Sequence, residues 1–162
     1  MNREILFRAK AINRDNVDGR RTNYKNGDWV YGLITKPNNE EYDFPAEMRN
    51  TDGVTGIEVD YKTIGQFTGL TDKNSVEIFE GDIVRIGRQF GKYLYGEDNY
   101  VCKYDANSAS FKFYYIVPED IANINAYAMV GNGVTISEME HGFTIEVIGN
   151  IFDNSELLHE ND

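Results

Sequence analysis

A mainly β protein is what this chain predicts, on three observations. Hydrophobic residues fall mostly at period two, helix-like spacing is scarce, and Gly, Asn and Asp punctuate short apolar runs. Tyr61 to Ile86, YKTIGQFTGLTDKNSVEIFEGDIVRI, shows the pattern most clearly. It reads as strand, glycine turn, polar turn, strand, acidic turn and strand, the signature of a small β-barrel, with no evident catalytic group. A chain of 162 residues makes one ordinary domain or two small ones, enough to bury a core without disulfides or a structural metal.

The elements follow in order. Ile5, Phe7 and Ala9 alternate with Leu6, Arg8 and Lys10, which predicts a short opening strand. Arg14 to Asp28 has hardly an apolar residue, so an exposed loop is expected there. Asn26-Gly27 supplies a tight turn into Trp29 to Thr35, WVYGLIT, a strand rich in β-formers. Pro37 to Gly56 is again polar and turn-rich, made acidic by Glu40, Glu41 and Asp43. Alternation returns in IEVDY from Ile57, after which Gly65 and Gly69 are free to adopt positive φ. Asp72-Lys73-Asn74 fills a turn before Val76 to Phe79. Glu80-Gly81-Asp82 then leads into Ile83 to Ile86, and the Asp82 carboxylate is placed to accept bonds from local backbone amides. Asp82 is therefore structural before it is catalytic.

Gly87 to Asn99, with its three glycines, reads as a long hairpin tip. Tyr100 to Tyr104 and Phe111 to Val117 are strands joined by the polar Asp105 to Ser110. Phe111, Phe113 and Tyr115 share one face. Core packing explains that stripe better than base stacking, since single-strand grooves are basic and this chain is acidic. Pro118 to Ala128, PEDIANINAYA, is the helix candidate, one short helix with Pro at its first turn, Glu119 and Asp120 at the positive end of the dipole, and Ile121, Ile124 and Tyr127 at helical spacing. Gly131 and Gly133 end it, and Phe143 to Phe152 is the closing strand.

A formal net charge of -11 repels phosphate, which disfavours a broad electrostatic grip on nucleic acid or an anionic membrane. The basic residues Arg3, Arg8, Lys10, Arg14, Arg20, Arg21 and Lys25 cluster locally and read as a solvated face balanced by acids elsewhere. Cys102 is the single cysteine, which excludes an intrachain disulfide and a cysteine-built zinc site and fits a reduced, cytosolic setting. As a nucleophile it would need His141 or His159 beside it; within YVCKY a buried packing role is simpler. MNREILFRAK lacks the apolar stretch of a secretory signal, and no later window is long and uncharged enough to span a membrane, so the expectation is a soluble, unexported protein.

The chemical motifs are near misses. Asp15, Asn16, Asp18 and Gly19 suggest a calcium loop, but the oxygen ligands are misplaced and Lys25 stands where the bidentate Glu belongs. Gly131-Asn132-Gly133 lacks the third glycine of a dinucleotide turn. Glu77, Glu80 and Asp82 sit close in sequence, as do Glu138, Glu140 and His141, yet such neighbours are expected by chance in so acidic a chain. No residue is assigned a catalytic, cofactor-binding or metal-binding role.

Four blocks carry a resemblance: REILFRAK at Arg3 to Lys10, WVYG at Trp29 to Gly32, TIGQFTGLTDKNSVEIFEGDIVRI at Thr63 to Ile86, and VIGNIFDNSELL at Val147 to Leu158. In this order they resemble the YopX family, proteins of phages and integrated prophages in Gram-positive and other bacteria. Gly87 to Glu146 carries little of it. The chain departs from the family pattern at Ser75, where a turn glycine is typical, at Ser155, where a proline often follows the final strand, and in a lengthened Arg14 to Asp28. The resemblance implies an all-β protein with an N-terminal open β-barrel part over residues 1–60 and a C-terminal SH3-like barrel over residues 61–162, with residues 61–80 bridging the two. It further implies a homo-oligomer and carries no established activity.

Three functional readings follow. The leading one is an accessory protein of a phage or prophage, not an enzyme and with no cofactor. It would act in the cytoplasm of the bacterial host by binding itself, a host protein or a phage protein. The second is nucleic-acid-linked: local contact through the basic N-terminal segment, or an acidic surface that mimics DNA toward a host factor. The third, a hydrolase or nuclease, requires Glu77, Glu80 and Asp82, or Glu138 to His141, to converge in a pocket.

Overall fold

The structure, a computed structural model, describes residues 5–12, 24–37, 45–90, 93–116, 134–135 and 143–158. It is mainly β, built from antiparallel sheets, and the described helical turns are two short 3-10 segments, Tyr61–Thr63 and Ser155–Leu158. The chain divides into two compact units, Met1–Gly69 and Leu70–Asp162, and the division falls inside the 61–80 stretch. The expected helix over Pro118 to Ala128 lies outside the described residues. None of the described residues forms a helix long and apolar enough to cross a membrane.

In the first unit, β1 (Phe7–Lys10), β2 (Trp29–Lys36), β3 (Ala46–Asn50), β4 (Ile57–Val59) and β5 (Gly65–Thr71) lie in the order β4-β3-β2-β1-β5. Period-two alternation sends Ala9, Ala11, Val30, Ala46, Met48, Ile57 and Val59 into one core, with Phe7, Tyr24, Ile34 and Ile64 packed against it. The sheet curls. β5 pairs with the start of β1 (Phe7 opposite Gln66), while β4 returns to its end through the Ala11–Val59 bridge. The Ile12 N–H donates to the Glu58 carbonyl (2.8 Å) and the Asp60 N–H to the Lys10 carbonyl (2.9 Å). The curl stays open, short of a closed barrel.

Pro37 to Gly56, expected to be turns alone, contains β3. Its inward residues are Ala46, Met48 and Asn50, none of them a strong β-former, so the strand signal is faint. Asn50 is buried and satisfied: its amide donates to the Tyr24 hydroxyl (2.9 Å) and its Oδ1 accepts the Val54 N–H (2.8 Å). Gly32, opposite Asn50 on β2, permits the close pairing, because a Cβ there would stand 1.9 Å from the Arg49 carbonyl oxygen.

β5 runs across the unit boundary, and its last residues lead through the Asp72 turn to its neighbour β6 (Glu77–Phe79). The second sheet follows: β7 (Asp82–Phe90), β8 (Tyr93–Asp105), β9 (Ser110–Tyr115), β10 (Val134–Thr135) and β11 (Phe143–Asn150), ordered β10-β9-β8-β7-β11. Ile78, Val84, Ile86, Cys102, Phe111 and Phe113 form its core, joined by Leu70, Tyr100, Phe143, Ile145 and Val147. The Phe111–Phe113 face is thus core, and Tyr115 meets Tyr100 edge to face with centroids 5.6 Å apart. Over residues 61–162, where an SH3-like barrel is expected, the described strands β7 to β11 form one antiparallel sheet and not a closed barrel.

The hairpin tip expected over Gly87 to Asn99 is also corrected. Both strands continue through it, β7 to Phe90 and β8 from Tyr93, with Gly87 opposite Glu97 and Arg88 opposite Tyr95. The register shift between Gly87 and Arg88 absorbs one extra residue, so glycine here serves a bulge within the ladder.

Two tight positions set the turns on either side of β6. Gly81 has φ +86, its N–H donates to the Cys102 carbonyl (2.9 Å), and its own carbonyl accepts from Ile151 (2.9 Å). Ser75 holds φ +66 without being glycine. A left-handed conformation costs an L-residue about 1–2 kcal/mol. Gly81→Val should lower unfolding free energy by about 2 kcal/mol and Ser75→Gly should raise it by about 0.5 kcal/mol, read as opposite shifts of the urea midpoint at constant slope.

Candidate binding surface

Two of the carboxylates that suggested chemistry, Asp82 and Glu80, accept backbone N–H groups. Asp82 is 1 % exposed, and its Oδ2 accepts the Phe79 N–H at 2.7 Å, closing the turn from β6 to β7. Glu80 accepts the Tyr104 N–H at 3.2 Å, and Glu77 is exposed at the start of β6. These three do not form a shared site. Among the described residues no group of three or more His, Cys, Asp or Glu side chains is arranged to hold a metal. Cys102 is buried in the second core. Glu138, Glu140, His141, His159, the Asp15 to Gly19 loop, and Arg3, Arg14, Arg20 and Arg21 lie outside the described residues.

The residue that sequence reading passed over is Asp72, taken only as turn filler. Its Oδ1 accepts the N–H groups of Asn74 (2.7 Å) and Val76 (2.9 Å), and its Oδ2 accepts the N–H of Val147 on β11 (3.0 Å). Burial pushes this carboxyl up, but the amides of Val147, Val76 and Asn74, with the Lys73 charge, outweigh it and leave its pKa below the ordinary value. The neighbouring Lys73 N–H donates to the Ile145 carbonyl (2.9 Å), and the Lys73 ammonium pairs with Glu146 at 2.8 Å. That ammonium lowers the Glu146 pKa as well. The only sequence signal was an Asp at the head of a polar turn, which is far commoner than the long-range bond it makes here.

The surface that stands apart from both cores is the outer face of β1, β2 and β3. Alternation opposite the Ala9–Val30 core places Arg8 and Lys10 on β1, Trp29, Tyr31 and Leu33 on β2, and Arg49 on β3 along that face, in cross-strand pairs Lys10–Trp29, Arg8–Tyr31 and Leu33–Arg49. The Arg8 guanidinium lies 4.7 Å and the Lys10 ammonium 5.3 Å from the Trp29 ring centroid. Arg8 is buried by this stacking and its surroundings, whereas Tyr31 is 38 % and Leu33 48 % exposed. This aromatic and aliphatic strip is bordered by Arg8, Lys10 and Arg49, with the Glu47–Lys36 ion pair (3.1 Å) farther along the same face, on a chain of net charge -11. It offers flat apolar area, ring faces and guanidinium donors.

A family model described as YopX protein matches residues 10–159. Among solved structures the chain is similar to the crystal structure of protein EF1440 from Enterococcus faecalis, at 22% identity and a TM-score of 0.48, covering 98% of this chain and 100% of that one. No curated protein matches.

The lowered carboxyls fix a sign for pH dependence. Asp105, held first by the Lys112 ammonium and then by Ser108 and the Asn107 N–H, is lowered from 3.8 to about 2. It joins Asp72 and Glu146, whose folded values also lie below the unfolded ones. Their stabilisation is therefore complete above the unfolded values and lost as pH falls through the folded ones. The urea midpoint should hold from about pH 7 to pH 5 and fall below about pH 4, and Asp72→Asn should lower the neutral plateau and flatten that fall.

Proposed function

The chain belongs to the YopX protein family, and from that premise we propose that it is an accessory protein of a phage or prophage that acts by binding and catalyses no reaction. The contact surface is the outer face of β1 to β3, and the partner is a second copy of the chain. The observation that carries this reading is the Tyr31–Leu33 strip, exposed and bordered by Arg49 and Lys10. Two copies of net charge -11 repel at a distance, so contact is favoured where one copy's cationic strip meets acidic surface on the other. Capping roles for Glu80 and Asp82 support the non-catalytic reading.

Light scattering over a rising concentration series tests it. The parent is expected above the 18.5 kDa of one chain. Tyr31→Ser with Leu33→Ser should return it toward that mass with an unchanged far-UV spectrum. A parent that stays at one chain's mass throughout overturns self-association.

A second reading rests on the Arg8–Trp29–Lys10 stack: a short single strand lying on this face, since cations interleaved with aromatic rings are what such platforms use. Trp29 is the only tryptophan, so its emission reports the site directly. Contact of this kind predicts quenching by a short single-stranded oligonucleotide that weakens steeply between about 50 and 200 mM salt. Emission unchanged by the oligonucleotide removes this reading.

A further inference from the structure

Given the self-association proposed above, on which this inference rests, we propose that the acidic segment at residues 38–44 of one copy docks on the outer face of β1 to β3 of the second, and reciprocally. Residues 38–44 read NNEEYDF, with three acids, Glu40, Glu41 and Asp43, two rings, Tyr42 and Phe44, and no basic residue. They stand in sequence between the described Pro37 and Pro45, after β2 and before β3.

The face has the complementary chemistry. Its outward charges are Arg8 and Lys10 on β1, Lys36 on β2, Glu47 and Arg49 on β3 and Glu58 on β4, so cations outnumber acids there although the chain carries a net charge of -11. Lys36 pairs with Glu47 at 3.1 Å and Arg8 is buried, which leaves the positive potential to be presented outward by Lys10 at one end of the strip and the exposed Arg49 at the other. Tyr31 lies between these ends, and Leu33 is paired with Arg49. Carboxylates interleaved with rings fit cations that flank an apolar strip, and such matching selects this segment over uncharged chain.

A copy's own segment falls short of this face. Glu41, its middle residue, is tethered at Pro37 and Pro45 and stays within about 14 Å of either. Trp29 and its cross-strand neighbour Lys10 stand about 26 Å from Pro37 along β2. Arg49 also extends away from the segment: its guanidinium lies 3.7 Å from where a Cβ of Gly53 would stand, beyond the far end of β3. The segment of a second copy has no such tether. With face and segment on the same sheet, one two-fold axis satisfies both contacts, and association closes at a dimer.

Charge exchange in the full chain tests this. The segment variant carries Glu40→Lys, Glu41→Lys and Asp43→Lys, and the face variant carries Lys10→Glu and Arg49→Glu. By light scattering, at a concentration where the parent is assembled, each variant alone should fall to the 18.5 kDa of one chain with an unchanged far-UV spectrum, because like charges then meet. Their equimolar mixture should return to twice that mass, since every segment then meets a face of opposite charge. A segment variant that keeps the parent's mass while Tyr31→Ser/Leu33→Ser loses it overturns this inference and leaves self-association through the strip standing. A parent that stays at one chain's mass overturns both, and a mixture that stays there overturns the pairing of segment with face. Should the face variant fail to fold, a peptide of residues 37–45 is added to the segment variant. Trp29 emission should then shift saturably with the peptide and not with its lysine-substituted form, and no shift overturns the inference.

Discussion

The carboxylate of Asp72 accepts backbone N–H groups from two segments 75 residues apart, two in its own turn and one on β11. Each bond stabilises the folded state by about 1 kcal/mol net, and an amide left buried without its partner costs about 1–3 kcal/mol, so the group matters most through what its loss would strand. Around it the Lys73 N–H, the Lys73–Glu146 ion pair and the Ser75 N–H to the Asp72 carbonyl (3.0 Å) close the same turn. The ion pair is half-exposed and worth little alone. Asp82 repeats the device one turn later in the chain, where a buried carboxylate and Gly81 hold the entry to β7. Backbone caps by short acids thus do the joining that a disulfide would do elsewhere, in a chain with one cysteine.

Which parts of this were legible follows from the physics of each element. Trp29 to Thr35 and Ile83 to Ile86 announced themselves because β-branched and aromatic residues alternate there, and alternation is what a half-buried strand requires. β3 hid because Ala46, Met48 and Asn50 fill its inward positions, and only the fold reveals that Asn50 is satisfied by Tyr24 and Val54. The β7–β8 hairpin was cut short because its glycines signal a turn in isolation, whereas the ladder uses a bulge to keep pairing past them. The role of Asp82 was readable because its bond is local, at a separation of three residues. That of Asp72 was not, because Val147 becomes its neighbour only once β11 has docked. The outer face of β1 to β3 was partly visible as a basic cluster, but its aromatic half lies on β2, and the cross-strand register that joins them is a property of the sheet.

Acidity and the outer face of β1 to β3 are linked. A chain with 27 acidic and 16 basic residues keeps copies apart at long range, which protects open sheets from indiscriminate pairing. Against that background Arg8, Lys10 and Arg49 on a single face act as an exception the field can select, and the stacked Trp29 fixes the geometry in which their charge is presented. Neither effect requires a pocket or a reacting group.

Gly32 lies between Tyr31 and Leu33 and approaches the backbone of β3 so closely that a Cβ would collide with the Arg49 carbonyl. The two flanking positions therefore ride on a rail whose spacing is set by the main chain and not by their own side chains. The side chains that the proposed contact uses are thus separable from the backbone spacing that holds the sheet, and exchanging Tyr31 or Leu33 changes the surface without changing the rail beneath it.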